Sequence, residues 1–218
     1  MGVMFAVMGL AKPGRWEDAV HDAQHAGKIF ERHGVDRVRY STTAIAGEAE
    51  GQWVFTTEFP SGAAYGAGYE RTMADEEMQA LLHSSRAADS PVIVQSTVLM
   101  VEIPTKAGPG TSGPVIEVHA SQLNPGGLTE MLSTTEEVFG IIRRHGAVGT
   151  RLFQVVYGGS LSGQYVVTFE YPDLATFAAG LDMWESNPQD AEFLLRVTDS
   201  KNAPSTRLTS GIYTEIPL

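Results

Sequence analysis

The apolar positions of the chain change period in a fixed order, and then do so again. Residues 3–9, "VMFAVMG", are apolar on both faces, as a strand in the middle of a sheet would be. After Pro13-Gly14 the apolar residues fall at helical spacing: Trp16, Ala19, Val20, Ala23, Gly27 and Phe30. Gly34 follows where a helix end needs a left-handed residue. Two strands come next, joined across "AGEAEG", then a second helix after Pro60 and a closing strand over 92–102.

Shifting the sequence by 112 positions repeats this order without a gap from 115 onward. "KPGRW" meets "NPGGL", "IFERHGVDRVRY" meets "IIRRHGAVGTRL", and "GEAEGQWVFTTEFP" meets "GSLSGQYVVTFEYP". The helical spacing returns as Leu128, Met131, Leu132, Thr135, Phe139 and Ile142, the glycine as Gly146, the second helix after Pro172 and the last strand over 205–215. "TKAGPGTSG" has linker composition and falls between the copies. The expected organisation is an N-terminal ferredoxin-like repeat at 1–104, a linker at 105–113 and a C-terminal ferredoxin-like repeat at 114–218. Each βαββαβ unit is α+β, with both helices on one face of its antiparallel sheet. The other face would expose valines and aromatics, so the two antiparallel sheets are expected to pack face to face as an intrachain pseudo-dimer, a barrel with helices outside. Further association into a homodimer is compatible with this.

Composition narrows the function. The net charge of −11 repels phosphate-rich partners, and no basic cluster exceeds "IIRRHG", which argues against nucleic acid. The absence of cysteine removes disulfides, thiol nucleophiles and Cys-ligated metals. The apolar start is too short to span a membrane, and Ala6 stands where a myristoylation signal needs Ser or Thr. A cytoplasmic protein with no membrane partner is expected.

Strand alternation sorts the third strand of each copy into two sets. Trp53, Phe55, Thr57 and Phe59, matched by Tyr165, Val167, Phe169 and Tyr171, should lie under the helices. Gln52, Val54, Thr56 and Glu58 are identical to Gln164, Val166, Thr168 and Glu170 and should face the opposite sheet. Pairing Thr43 with Val54 would set Arg39 against Glu58 and, in the second copy, Arg151 against Glu170, as a structural clamp. The first strand breaks the symmetry. Where copy one has Phe5 and Val7, copy two has Glu117 and His119. A carboxylate and an imidazole in a central strand must satisfy each other or face a polar cavity.

Two stretches, "VVTFEYPDLATFAAGLDMWES" and "NPGG", are similar to the antibiotic-biosynthesis-monooxygenase group of the dimeric α+β barrel superfamily, across nearly the whole chain as a tandem pair. The resemblance implies relatives among cofactor-independent quinone-forming monooxygenases, haem-degrading enzymes and lactone isomerases. The haem-degrading members use a first-strand Asn, a third-strand Trp and a second-helix His. These places hold His119, Tyr171 and Leu195 in copy two and Val7, Phe59 and His83 in copy one, so neither copy has the full set.

The reading is a small-molecule enzyme acting on an aromatic or polyketide-like compound, by cofactor-independent monooxygenation or isomerisation. His119 would be the base and Glu117 its partner, in a C-terminal pocket lined by Tyr165, Phe169, Tyr171 and Trp184. The alternatives are a protein that binds haem, through His119 or His83, or another hydrophobic ligand without turnover, and a structural member with no activity. No metal site is expected. His21 and His25 have ligand spacing but no third partner, and His33 and His145 precede the capping glycines, where an imidazole complements a helix C-terminus.

Overall fold

The computed structural model describes residues 1–198 and 203–217. The order of elements is β1 (Val3–Ala11), α1 (Trp16–Arg32), β2 (Arg37–Ile45), β3 (Gln52–Phe59), α2 (Gly62–Ala74), α3 (Glu76–Ser85) and β4 (Val92–Ile103). It continues as β5 (Val115–Leu123), α4 (Leu128–Arg144), β6 (Gly149–Tyr157), β7 (Tyr165–Tyr171), α5 (Leu174–Gly180), α6 (Met183–Ser186), α7 (Pro188–Thr198) and β8 (Ser205–Ile216). Two 3₁₀ turns, Gly47–Ala49 and Gly159–Leu161, bridge β2 to β3 and β6 to β7.

The strands close into one antiparallel barrel in the order β1-β3-β2-β8-β5-β7-β6-β4. The α+β expectation holds, with a difference: β2 bonds to β8 and β4 to β6, so the layers form one continuous sheet with no free edge. The helices pack outside. Ala23, Ile29 and Phe30 of α1 cover Trp53, Phe55 and Phe59, and Met131, Phe139 and Ile142 of α4 cover Phe169 and Tyr171. The second helix of each half is broken rather than continuous. Asp75, extended and accepting from the backbone N–H groups of Glu77 and Met78, ends α2 and caps α3. Gly34 and Gly146, at φ 84° and 105°, occupy the left-handed positions after α1 and α4.

The Arg–Glu pairing differs from the sequence expectation by two residues. Glu58 stands opposite Arg37 and Glu170 opposite Gly149, which preserves the face but changes the partners. Arg39 instead reaches Glu170 (2.9 Å) and Glu215 (2.7 Å), while Arg151 reaches Glu58 (2.8 Å) and Glu102 (3.0 Å). Each arginine thus binds acids of the other half and seals one end of the barrel. Burial opposes the charge on Arg151, but its hydrogen bonds and attraction to Glu102 and Glu58 prevail and raise its pKa.

His33 and His145 end α1 and α4 and bond to acids at the start of later helices, Asp75 and Asp190, each at 2.9 Å. Those hydrogen bonds hold both carboxyls below the ordinary 3.8 against the opposing effect of burial, helped at Asp75 by the backbone N–H groups of Glu77 and Met78 and then Arg32, and at Asp190 by Arg144. A depressed carboxylate stabilises the fold above its unfolded pKa, and that contribution is lost as pH falls through the folded value. Thermal melts of Asp75→Asn with Asp190→Asn should therefore lose less stability than wild type as pH falls below about 4. An unchanged acid limb would place the acid-sensitive groups elsewhere.

Candidate active site

β5 sets out the site. Its register places Glu117 beside Phe169 and His119 beside Val167, so both side chains point towards the helices. A bulge between Ala120 and Ser121, where β5 meets β8, follows immediately. The two side chains are mostly buried, His119 at 15% and Glu117 at 22% exposed. They join a chain of hydrogen bonds: Ser210 Oγ to His119 Nδ1 at 2.9 Å, His119 Nε2 to Glu117 Oε1 at 2.8 Å, and Tyr171 OH donating to Glu117 Oε2 at 3.1 Å. Burial, reinforced by the Glu117 charge and hydrogen bond, raises the Tyr171 pKa, so the phenol remains a donor. Burial lowers the Arg207 pKa, and attraction to Glu117 opposes that shift.

Glu117, His119, Tyr171 and Arg207 border a cavity of about 270 Å³ between sheet and helices, as does His145, the partner of Asp190, whereas Ser210 lines the interior of the barrel. Phe169 and Tyr171 form its floor, Met131, Val138 and Ile142 of α4 one wall, and Met183, Trp184 and Leu194 the roof. Arg207 and Ser205 of β8 complete the rim. The matched region of the first half is filled instead: Phe5 packs edge-on to Tyr69 with ring centroids 5.6 Å apart, and Tyr65 packs on Phe59 at 5.3 Å.

Glu117, His119, Phe169, Tyr171 and Trp184 therefore meet at one cavity. Tyr165 does not. It is 6% exposed and packed into the core at the start of β7, and Val167 takes its place at the cavity wall. His83 is exposed on α3 of the other half and borders neither cavity. Of the two histidines named for haem, His83 stands apart from both cavities, while His119 borders the helix-roofed one with both ring nitrogens hydrogen-bonded. His25 bonds to Glu77 at 3.3 Å, and among the described residues no group of three or more His, Asp or Glu residues could hold a metal. Ser210 and Arg207 were not legible as site residues. The only signal for them is the pairing of β5 with β8, which sets His119 opposite Ser210.

Comparison with known proteins places the architecture. No family model matches the chain, and no curated protein matches it. Solved structures do. A candidate monooxygenase from Fusobacterium nucleatum superposes with a TM-score of 0.60 at 8% identity, covering 98% of this chain and 94% of that one. An anthrone oxidase-like protein gives 0.60 at 13% identity, covering 99% and 91%. A mutant chlorite dismutase from Candidatus Nitrospira defluvii gives 0.59 at 12%, covering 99% and 92%. The fold is the α+β barrel. At these identities the likeness speaks for architecture alone. No helix among the described residues is long and apolar enough to cross a membrane.

Proposed function

We propose that the chain is an enzyme acting on an aromatic or polyketide-like compound with an acidic C–H or O–H group, as a cofactor-independent monooxygenase or a proton-transfer isomerase. The observation that carries this reading is the His119–Glu117–Tyr171 chain, held from behind by Ser210, opening on an apolar, helix-roofed cavity. The chain is read as two ferredoxin-like units, 1–104 and 114–218, joined by 105–113, with the working pocket in the second. The reciprocal Arg39 and Arg151 pairs support that division.

Glu117 accepts from His119 Nε2–H, which fixes the tautomer and leaves Nδ1 as the basic nitrogen. Nδ1 takes the substrate proton, and Glu117 stabilises the imidazolium. The aromatic floor holds a flat ring, and Arg207 at the rim favours the enolate that forms. In an isomerisation the proton returns to a different carbon. In oxygenation the enolate adds to dioxygen, the peroxide takes the proton back from His119, and loss of water leaves a ketone. The balance is one CH₂ and one O₂ converted to one C=O and one H₂O.

The name of the anthrone oxidase-like neighbour suggests the first compound to try. Anthrone under air, with no added metal or cofactor, should be consumed with matching oxygen uptake. Under nitrogen in D₂O its methylene should exchange deuterium faster with the protein than without. A panel of anthrones, naphthols and enolisable lactones showing neither oxygen uptake nor exchange nor isomerisation would overturn the reading.

A further inference from the structure

The barrel has an interior of its own, on the opposite side of β5 from His119. All eight strands contribute to the lining of a cavity of about 680 Å³. An eight-stranded barrel is just wide enough for side chains to fill or for one small ligand to occupy. Several inward positions are small, among them Ala6, Val54, Val98, Val118, Ala120 and Val166. Met4, Met8, Met100 and Phe153 pack with Ala6, Val54, Val98 and Val166 into a cluster that fills part of the interior, and the space left beside it forfeits the contacts that close packing would give.

The two ends of the cavity differ. At one, Arg39 and Arg151 are already paired with acids, so the floor offers no uncompensated charge. At the other, beside the two 3₁₀ turns, Glu48 and Glu50 are exposed at the lining. An acidic entrance on a chain of net charge −11 disfavours anions. Between the ends the wall is apolar, with the Gln164 amide and the Thr56 and Thr168 hydroxyls as hydrogen-bonding groups.

We propose that the barrel interior is a second ligand site, taking one neutral, largely apolar small molecule with a hydrogen-bonding group, on the other side of β5 from the helix-roofed cavity and touching its hydrogen-bond chain only through Ser210. The apolar wall supplies affinity, the amide and hydroxyls orient the ligand, and Glu48 and Glu50 select against negative charge. The proposal does not rest on the enzymatic reading.

The methionines make the test direct in the intact protein. Met4, Met8 and Met100 line the interior, whereas Met131 and Met183 line the helix-roofed cavity. Protein labelled with ¹³C at the methionine methyls is titrated with the neutral dye N-phenyl-1-naphthylamine, following methyl shifts and dye fluorescence. The expected result is saturable 1:1 binding that shifts Met4, Met8 and Met100 and leaves Met131 and Met183 in place. The anionic dye 8-anilinonaphthalene-1-sulfonate should bind at least about tenfold more weakly. Shifts confined to Met131 and Met183, or no shift at all, would overturn the proposal, and equal binding of both dyes would overturn the selection against anions. Filling the interior with Val54→Trp and Val118→Trp should abolish neutral-dye binding. The wild-type titration decides the matter even if that variant does not fold.

Discussion

Exchanging His119 for alanine should lower turnover of an enolisable substrate by about 10²–10⁴, or about 3–5 kcal/mol of transition-state stabilisation. The size follows from what the imidazole does. It stands on the sheet side of the cavity with a carboxylate that fixes its tautomer; His145, the other histidine of the lining, is held to Asp190 at 2.9 Å at the end of α4. Glu117→Gln leaves an acceptor oxygen for Nε2 but removes the charge that stabilises the imidazolium, so a smaller loss of about 10–10² is expected. Tyr171→Phe should cost less still, since the phenol touches only Glu117 Oε2 in this chain of contacts. The raised Tyr171 pKa also fixes the shape of the pH profile, with no alkaline limb from this residue below about pH 10. Steady-state kinetics of the three variants on one substrate, with thermal melts as a control on folding, give the comparison. Turnover by His119→Ala within threefold of wild type would remove the imidazole from the chemistry.

What the sequence made legible was periodic and local. Alternation in β3 and β7 told which residues lie under the helices, and the 112-residue shift told that Glu117 and His119 stand where Phe5 and Val7 do. What stayed hidden depended on register and volume. Parity is preserved by a two-residue slip, so Arg39 could be assigned its face but not its partner, which lies on strands of the other half. The pairing of β2 with β8 and of β4 with β6 has no local signature, and with it went Ser210, Arg207 and closure into one sheet. Tyr165 shows the limit of face assignment: it lies on the helix side like Phe169, yet Tyr165 is packed into the core while Phe169 borders the cavity. The interior void was missed for a related reason. Identical Gln-Val-Thr-Glu sets in β3 and β7 looked like a clamp, and the space beside the interior cluster depends on the joint volume of side chains from all eight strands.

The clamp itself carries the other large expectation. Arg39→Met should destabilise the protein by about 3–5 kcal/mol in urea denaturation, because removing one partner leaves a buried charge uncompensated. The Arg39 and Glu170 side chains are 5% and 4% exposed. Without the guanidinium, Glu170 keeps only the Gly113 N–H at 3.0 Å, and the Gly113 carbonyl loses the donor it had at 2.6 Å. Arg151 makes the reciprocal contacts with Glu58 and Glu102, but its pairs lie nearer water, with side chains 13–21% exposed. Arg151→Met should therefore cost less, about 1–3 kcal/mol. The discriminating variant is Arg39→Met with Glu170→Met. If the deficit arises from the orphaned carboxylate, the double change should restore most of it despite removing one more native contact. If instead the arginine acts by tying β2 to β8 through Glu215, the double variant should remain as unstable as Arg39→Met alone. A loss below about 1 kcal/mol for Arg39→Met would mean that the strand pairing holds the barrel closed without the clamp.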